Sequence, residues 1–192
     1  MRPLITPTLC RRNTMGPQRT AQKILPIQKM SMVHLPEVMA IENQSALCQS
    51  NEYNGGVSTT HEKTFMAYIR NHRRYLPAVV QYHTQVISFI VFDILEREIV
   101  NLAVHPQARL RSLGTAMLGQ LKYELGYAPM KIWVRESNTG GLTFLCKEKN
   151  GFRFGAFQRG HYKTEGGVQL WFGQNVLIGK KREPINRLIR FG

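Results

Sequence analysis

The residues with the most to offer chemically lie between positions 98 and 118. Glu98-Ile99-Val100-Asn101-Leu102-Ala103-Val104 reads as a strand that stops at His105-Pro106, because proline removes a backbone donor and disfavours a helical residue before it. Gln107 to Gly114 then carries Arg109, Arg111, Ser112 and Gly114, and it opens a helix whose apolar face is Leu113, Met117, Leu118, Leu121 and Leu125. A strand delivered into an arginine-rich turn and then a helix start presents backbone N–H groups and the positive end of a helix dipole. That arrangement suits an anion such as a pyrophosphate. An ordinary solvated corner on a basic protein has the same composition, and the residues alone leave both readings open.

The surrounding elements must position this segment. Upstream, a short strand over Ile24 to Met30 leads into Leu35, Val38, Met39, Ile41 and Glu42, whose spacing suits an amphipathic helix behind Pro36. Asn51 to Thr60, with Asn54, Gly55 and Gly56, reads as a loop. Thr60 is expected to cap a second helix, Lys63 to Arg73, with Phe65, Ile69 and His72 along one side. Ala78 to His83 and Val86 to Leu95 form a hairpin across Thr84 and Gln85. Downstream come a strand over Lys131 to Val134, a polar turn over Glu136 to Gly141 and a short helix over Leu142 to Lys149. Two last strands, Phe152 to Gln158 and Val168 to Phe172, complete an α/β order with a mixed sheet.

Length and composition bound the answer. The 192 residues are 43% hydrophobic and 20% charged, which fits one globular domain and excludes a fibrous or wholly disordered polymer. The longest apolar runs, such as Val86 to Phe92, fall far short of the roughly 20 residues of a membrane-spanning helix, so the chain reads as soluble. Cys10, Cys48 and Cys146 are an odd number with no CxxC pairing. Neither a disulfide framework nor a metal site is indicated, and a reducing, cytoplasmic setting is the default.

The net charge of +14 is concentrated at the two ends. Residues 1–36 hold six basic side chains and no acid, residues 37–178 hold fifteen against eleven, and residues 179–192 hold five against one. Basic ends suit a polyanion such as RNA, or an anionic membrane surface, through salt-sensitive attraction to phosphate. They also serve simple solubility. Residues 1–23, rich in Pro, Thr and Arg, are expected to form a disordered extension. Their composition equally resembles an organelle transit peptide, or an over-long start upstream of Met15 or Met30. The expected organisation is therefore a basic extension (1–23), a folded domain (24–174) and a basic tail (175–192).

Three ordered pieces of this sequence resemble the GNAT acetyltransferase superfamily over roughly Ile24 to Phe172. The first is Val104-His105-Pro106 followed by Arg109-Leu110-Arg111-Ser112-Leu113-Gly114, similar to a V-x-P strand end leading to [QR]-x-x-G-x-[GA]. The second is Val134-Arg135-Glu136-Ser137-Asn138, and the third is Asn150-Gly151-Phe152. Together with Arg159-Gly160-His161-Tyr162, they look most like the ribosomal-protein alanine N-acetyltransferases and related N-terminal acetyltransferases. The resemblance implies a mixed, mostly antiparallel sheet flanked by helices, acetyl-CoA as donor, no metal, and a primary amine as acceptor. The resemblance does not fix which amine: that of an acceptor protein or peptide is the first reading, with the basic ends suited to contact RNA or the ribosome.

Residue by residue, the resemblance implies that Leu102, Ala103 and Val104 pair with the pantetheine amides. Arg109, Leu110, Arg111, Ser112, Leu113, Gly114 and Thr115 would cradle the pyrophosphate, with Asn138 meeting the cofactor. Ser112 stands where the pattern has its first glycine, so it is expected to serve if its dihedrals avoid the region glycine tolerates best. A register two residues later restores R-x-x-G-x-A but breaks the distance from Pro106. For the base, Glu98 matches a glutamate that some members carry on this strand, and it would act through water. Trp133 occupies the place of the glutamate used by ribosomal-protein acetyltransferases, and Glu136 ranks lower because a turn begins there. Tyr162 would grip the acceptor. The tyrosine that usually serves as general acid has no match: counting back from Phe152 gives Lys147, counting forward from Asn138 gives Leu145, and Cys146 between them reads as core packing. Transfer to a small amine or aminoacylated RNA, and a non-catalytic acyl-CoA- or RNA-binding protein, are the competing readings.

Overall fold

A computed structural model of the chain describes residues 26–50, 62–162 and 165–173. The extension 1–23, the tail 175–192, the loop over 51–60 and the Thr60 cap lie outside the described residues. Seven strands form one sheet: β1 (Ile27–Lys29), β2 (Tyr75–Tyr82), β3 (Gln85–Asp93), β4 (Glu98–Val104), β5 (Met130–Arg135), β6 (Arg153–Tyr162) and β7 (Glu165–Phe172). Their order across the sheet is β1-β2-β3-β4-β5-β7-β6, and only the β4–β5 pair is parallel. Among the described residues, four α-helices flank it: α1 (Leu35–Ser50), α2 (Glu62–Arg70), α3 (Leu113–Glu124) and α4 (Thr139–Cys146).

Strand alternation divides the core into two layers, since successive side chains point to opposite faces. Val79, Phe89, Val91 and Ala103 bury one face against Val38 and Ile41 of α1 and Phe65 of α2. Ala78, Ile90, Phe92, Ile99, Ile132 and Val134 bury the other against Met117, Leu118 and Leu121 of α3 and Leu145 of α4. β3 is buried on both sides and acts as the spine. Two carboxylates anchor α1 to the sheet: Glu37 accepts the Val86 N–H at 2.7 Å, and Glu42 accepts from the Asn101 amide at 3.3 Å.

Element boundaries differ from the sequence reading wherever a polar side chain ends an element. β3 stops at Asp93 rather than Leu95, because the buried Asp93 carboxylate accepts the N–H groups of Leu95 and Glu96 and pairs with Arg74 at 2.9 Å. The hairpin turn is His83-Thr84, with His83 taking the left-handed conformation (φ 55°), and Gln85 already belongs to β3. α4 starts at Thr139, not Leu142, because Asn138 Oδ1 caps it by accepting the Gly141 N–H at 2.8 Å. α2 ends at Arg70, which leaves His72 in an exposed turn.

One buried cation ties α3 to the far end of the sheet. Lys122 is 5% exposed; its ammonium donates to the Asn150 carbonyl and lies 4.1 Å from the centroid of the Phe172 ring. Burial pushes its pKa below the ordinary 10.5. An amine with a lowered folded value binds its proton more readily in the unfolded chain, so stability climbs with pH up to the unfolded value near 10.5. Lys122→Met is expected to flatten that climb. Urea midpoints of wild type and variant between pH 7 and 10 measure it, and parallel pH curves would contradict it.

Candidate active site

Two residue pairs, Glu98↔Lys131 and Ile99↔Ile132, are all that join β4 to β5. Beyond them the strands part: β4 continues on β3 through Val104, and β5 continues on β7 through Arg135. The divergence follows a bulge, since Phe92 opposes Ile99 while Val91 opposes Asn101, leaving Val100 unopposed. A strand edge that turns away from its neighbour leaves N–H and C=O groups without a ladder partner. Leu102, Ala103 and Val104 lie along that edge, where an extended ligand with amides of its own has groups to pair with.

The notch runs toward the start of α3. Past Val104, a 3-10 turn over Pro106–Ala108 brings Arg109 back so that its Nε donates to the Val104 carbonyl at 3.3 Å. Leu110 (φ 64°) and Ser112 (φ 60°) both take the left-handed conformation, and α3 begins at once. Ala116 is the first residue whose N–H reaches back, to Ser112 O, so the N–H groups of Leu113, Gly114 and Thr115 lack intrahelical acceptors. Ser112 makes no side-chain cap and the first turn holds no acid. This helix end is left positive, beside the exposed Arg109 and Arg111.

These dihedrals correct one expectation. Ser112 occupies the very region the sequence reading required it to avoid, at a cost of about 1–2 kcal/mol for a residue with a Cβ. Its left-handed backbone is the conformation in which a glycine would rest without that cost. Gly114 answers to packing: a Cβ built on it would stand 2.9 Å from the Phe144 ring, where α3 meets α4.

The other side of the notch faces a polar and aromatic surface. Met130, Ile132 and Val134 point into the α3 core, so Lys131, Trp133 and Arg135 point the opposite way. Lys131 pairs with Glu98 at 3.3 Å and with Glu96 at 3.4 Å. The Trp133 ring stacks on His161 of β6, with centroids 4.0 Å apart and planes at 15°. Arg135 lies over the Tyr162 ring at 4.4 Å and pairs with Glu165 at 2.7 Å. Burial opposes charge on Glu165, but its bonds from Ser137 and Arg135 outweigh this and hold its carboxyl below the ordinary value.

Burial also pushes the Tyr162 phenol up to about 12; Arg135 works against the rise, and Glu98 and Glu165 add to it. Tyr162 is thus a half-buried phenol held beneath Arg135 and within the field of Glu98. Glu136 spends its carboxylate on the Gly166 N–H at 2.9 Å. Asn138, expected to meet the cofactor, has its side-chain oxygen committed to the α4 cap. α4 holds no tyrosine, and Cys146, read as core, is exposed at its last residue.

The sequence reading missed the Trp133–His161 stack and the Arg135–Glu165 pair. The period-2 alternation of Lys131, Trp133 and Arg135 against Met130, Ile132 and Val134 was the one signal available for them.

No family model matches the chain, and no curated protein matches it either. Solved structures do. The ribosomal-protein-S18-alanine N-acetyltransferase of Escherichia coli superposes with a TM-score of 0.61 at 24% identity, covering 79% of this chain and 97% of that one. Ard1 from Thermoplasma volcanium gives 0.62 at 20% identity, covering 77% and 96%. A GNAT family acetyltransferase from Elizabethkingia anophelis, solved with acetyl-CoA bound, gives 0.58 at 14%, covering 78% and 98%. The chain therefore has the GNAT acetyltransferase fold, with the mostly antiparallel mixed sheet expected of it.

Ser112→Gly is expected to relieve the strained residue and raise stability by up to about 1 kcal/mol, the left-handed penalty less the extra entropy of an unfolded glycine. Equilibrium urea unfolding measures it. An unchanged or lower midpoint would mean that the turn carries no strain at this position.

Proposed function

We propose that this protein is an acetyl-CoA-dependent N-acetyltransferase that moves an acetyl group to a primary amine, the N-terminal amine of a protein such as a ribosomal protein. The observation that carries the reading is the notch between β4 and β5, continuous with the uncapped start of α3. Acetyl-CoA fits these residues. Leu102 to Val104 present the notch edge of β4 to the pantetheine amides, and the N–H groups from Leu113 to Thr115, with Arg109 and Arg111, offer donors and charge to the pyrophosphate. Bound there, it supplies an activated acetyl thioester.

An amine must be neutral to attack, so a proton acceptor belongs at the closed end of the notch. Glu98 sits on the last shared rungs of β4 and β5, and it takes that proton through water. Tyr162 keeps its own proton and orients the acceptor by hydrogen bonding. The basic ends of the chain hold the enzyme near RNA or an acidic partner. Two observations favour a second reading, a protein that binds acyl-CoA without turning it over: α4 lacks a tyrosine, and the Glu98 carboxylate is paired with Lys131.

Thermal unfolding with acetyl-CoA, with CoA and with neither separates the readings. A ligand that binds only the folded state stabilises it, by about 2.7 kcal/mol at 100 times its Kd. Stabilisation together with acetylation of amino-terminal peptides, and a kcat lowered by on the order of 100-fold or more in Glu98→Gln, is the expected result. Turnover of small amines or aminoacylated RNA alone would move the acceptor class. Stabilisation without turnover of any amine would favour the binding protein, and no stabilisation at saturating acetyl-CoA would overturn both.

A further inference from the structure

We infer that the end of the sheet opposite the notch is a docking surface for single-stranded RNA, built on the folded domain and separate from the basic ends of the chain. The inference does not depend on acetyl transfer. The notch opens toward Val104, where β4 ends and the chain turns into α3. The other end of the sheet gathers the start of β2, the turn from β3 to β4, the start of β5, the finish of β7 and the start of β6. Backbone bonds join these segments side by side: Ile94 donates to the Arg74 carbonyl and Lys131 to the Arg97 carbonyl, both at 2.8 Å. A Cβ on Gly173 would stand 3.4 Å from the Tyr127 carbonyl. From β2 to β6 the row crosses five strand spacings, about 24 Å.

Charge is unevenly spread along that row. Arg70 and Arg73 are exposed where α2 gives way to β2, and Lys147, Lys149 and Arg153 are exposed where α4 gives way to β6. The carboxylates at this end are engaged: Asp93 by Arg74, Glu96 and Glu98 by Lys131, and Glu124 by the Gln120 amide, while Glu148 stands between the two lysines. Two cationic groups therefore flank a middle of little net charge. The described chain also leaves from this end, at Gly173, and residues 179–192 beyond it hold five basic side chains and one acid.

The middle holds an exposed ring. Tyr127 follows α3, with its N–H on the Lys122 carbonyl at 2.7 Å, and its backbone is left-handed (φ 57°) directly after Gly126 (φ 59°). The residue is 62% exposed. A large side chain in a conformation that favours glycine, turned to solvent, contributes little to the core and offers a flat face to a base. Guanidinium forks match phosphate oxygens two at a time, ammonium groups add point charge, and a ring takes a base by stacking. A single strand presents phosphates and unstacked bases together, so it meets all three. Binding here leaves the notch open to acetyl-CoA and to an acceptor.

Fluorescence anisotropy with a labelled oligouridine across a salt series tests this on the full chain. Wild type is expected to bind with an affinity that falls steeply as salt rises. Arg70→Gln with Arg73→Gln, and separately Lys147→Gln with Lys149→Gln, are each expected to weaken binding about tenfold at low salt. Each pair is also expected to flatten the slope of log affinity against log salt by about 1.4, two phosphate contacts at about 0.7 apiece. Tyr127→Ala is expected to lose about fivefold or more while keeping the wild-type slope, the mark of stacking rather than charge. All of these side chains are exposed and thermal melts are expected to show folded variants; the two charge pairs lie on different elements, so either tests the surface if the other fails to fold.

Failure of wild type to bind at low salt, a wild-type slope in either folded charge pair, or wild-type affinity in Tyr127→Ala overturns the surface. Displacement of the RNA by acetyl-CoA does so too, since it would put the strand at Arg109 and Arg111. Tighter binding to phosphatidylserine vesicles or to polyglutamate at equal salt overturns RNA as the partner. None of these outcomes touches the acetyltransferase reading, which stands or falls on turnover.

Discussion

The parting of β4 from β5 after two shared residue pairs is the constraint on which the rest of the molecule depends. A sheet gains from every rung it forms, and leaving a backbone group unpaired and out of water costs on the order of 1–3 kcal/mol. The core holds the strands apart regardless. Ile99 and Ile132 are packed into the α3 layer on the last rungs, while Asn101 is drawn to Glu42 of α1 and Ala103 faces the α1–α2 layer. The Val100 bulge lets β4 follow β3 while β5 follows β7. An open strand edge inside a sheet, away from either end, is thus secured by packing on both sides.

The two rims of the notch are built by different means. On the α3 side the donors are backbone, positioned by dihedrals at Leu110 and Ser112 and by the contact of Gly114 with Phe144. On the opposite side the groups are side chains, positioned by the β5–β7–β6 registers. Glu136 and Glu165 clasp β7 to the end of β5, and glycines at 166 and 167 leave room for Phe157 and His161 to lie close over the sheet. One rim suits an anion and the other carries mixed charge with stacked rings, so the notch separates two kinds of ligand chemistry.

The strand-turn-helix around Arg109 was legible because its signals are local: a proline after a strand, basic and small residues, then a clear 3.6-residue period. The order of elements was legible for the same reason. Ends set by a single carboxylate or amide, at Asp93 and Asn138, were not, because a cap competes with continued periodicity and either outcome fits the composition. The Trp133–His161 stack was out of reach for a different reason. It joins residues of β5 and β6 across an intervening β7, and the registers of both pairings must be known before the two rings can be set side by side.

A turn assembled from Leu110 and Ser112 in left-handed backbone, where glycine would rest at ease, holds tension against its own surroundings. Amides in such a turn exchange with solvent through brief local openings, and those openings come at lower free energy than in the relaxed helix that follows. A guest hydrogen-bonded to the turn would close it. The turn is therefore a place where occupancy would be written directly into hydrogen-exchange protection, residue by residue, without any change in the shape of the domain.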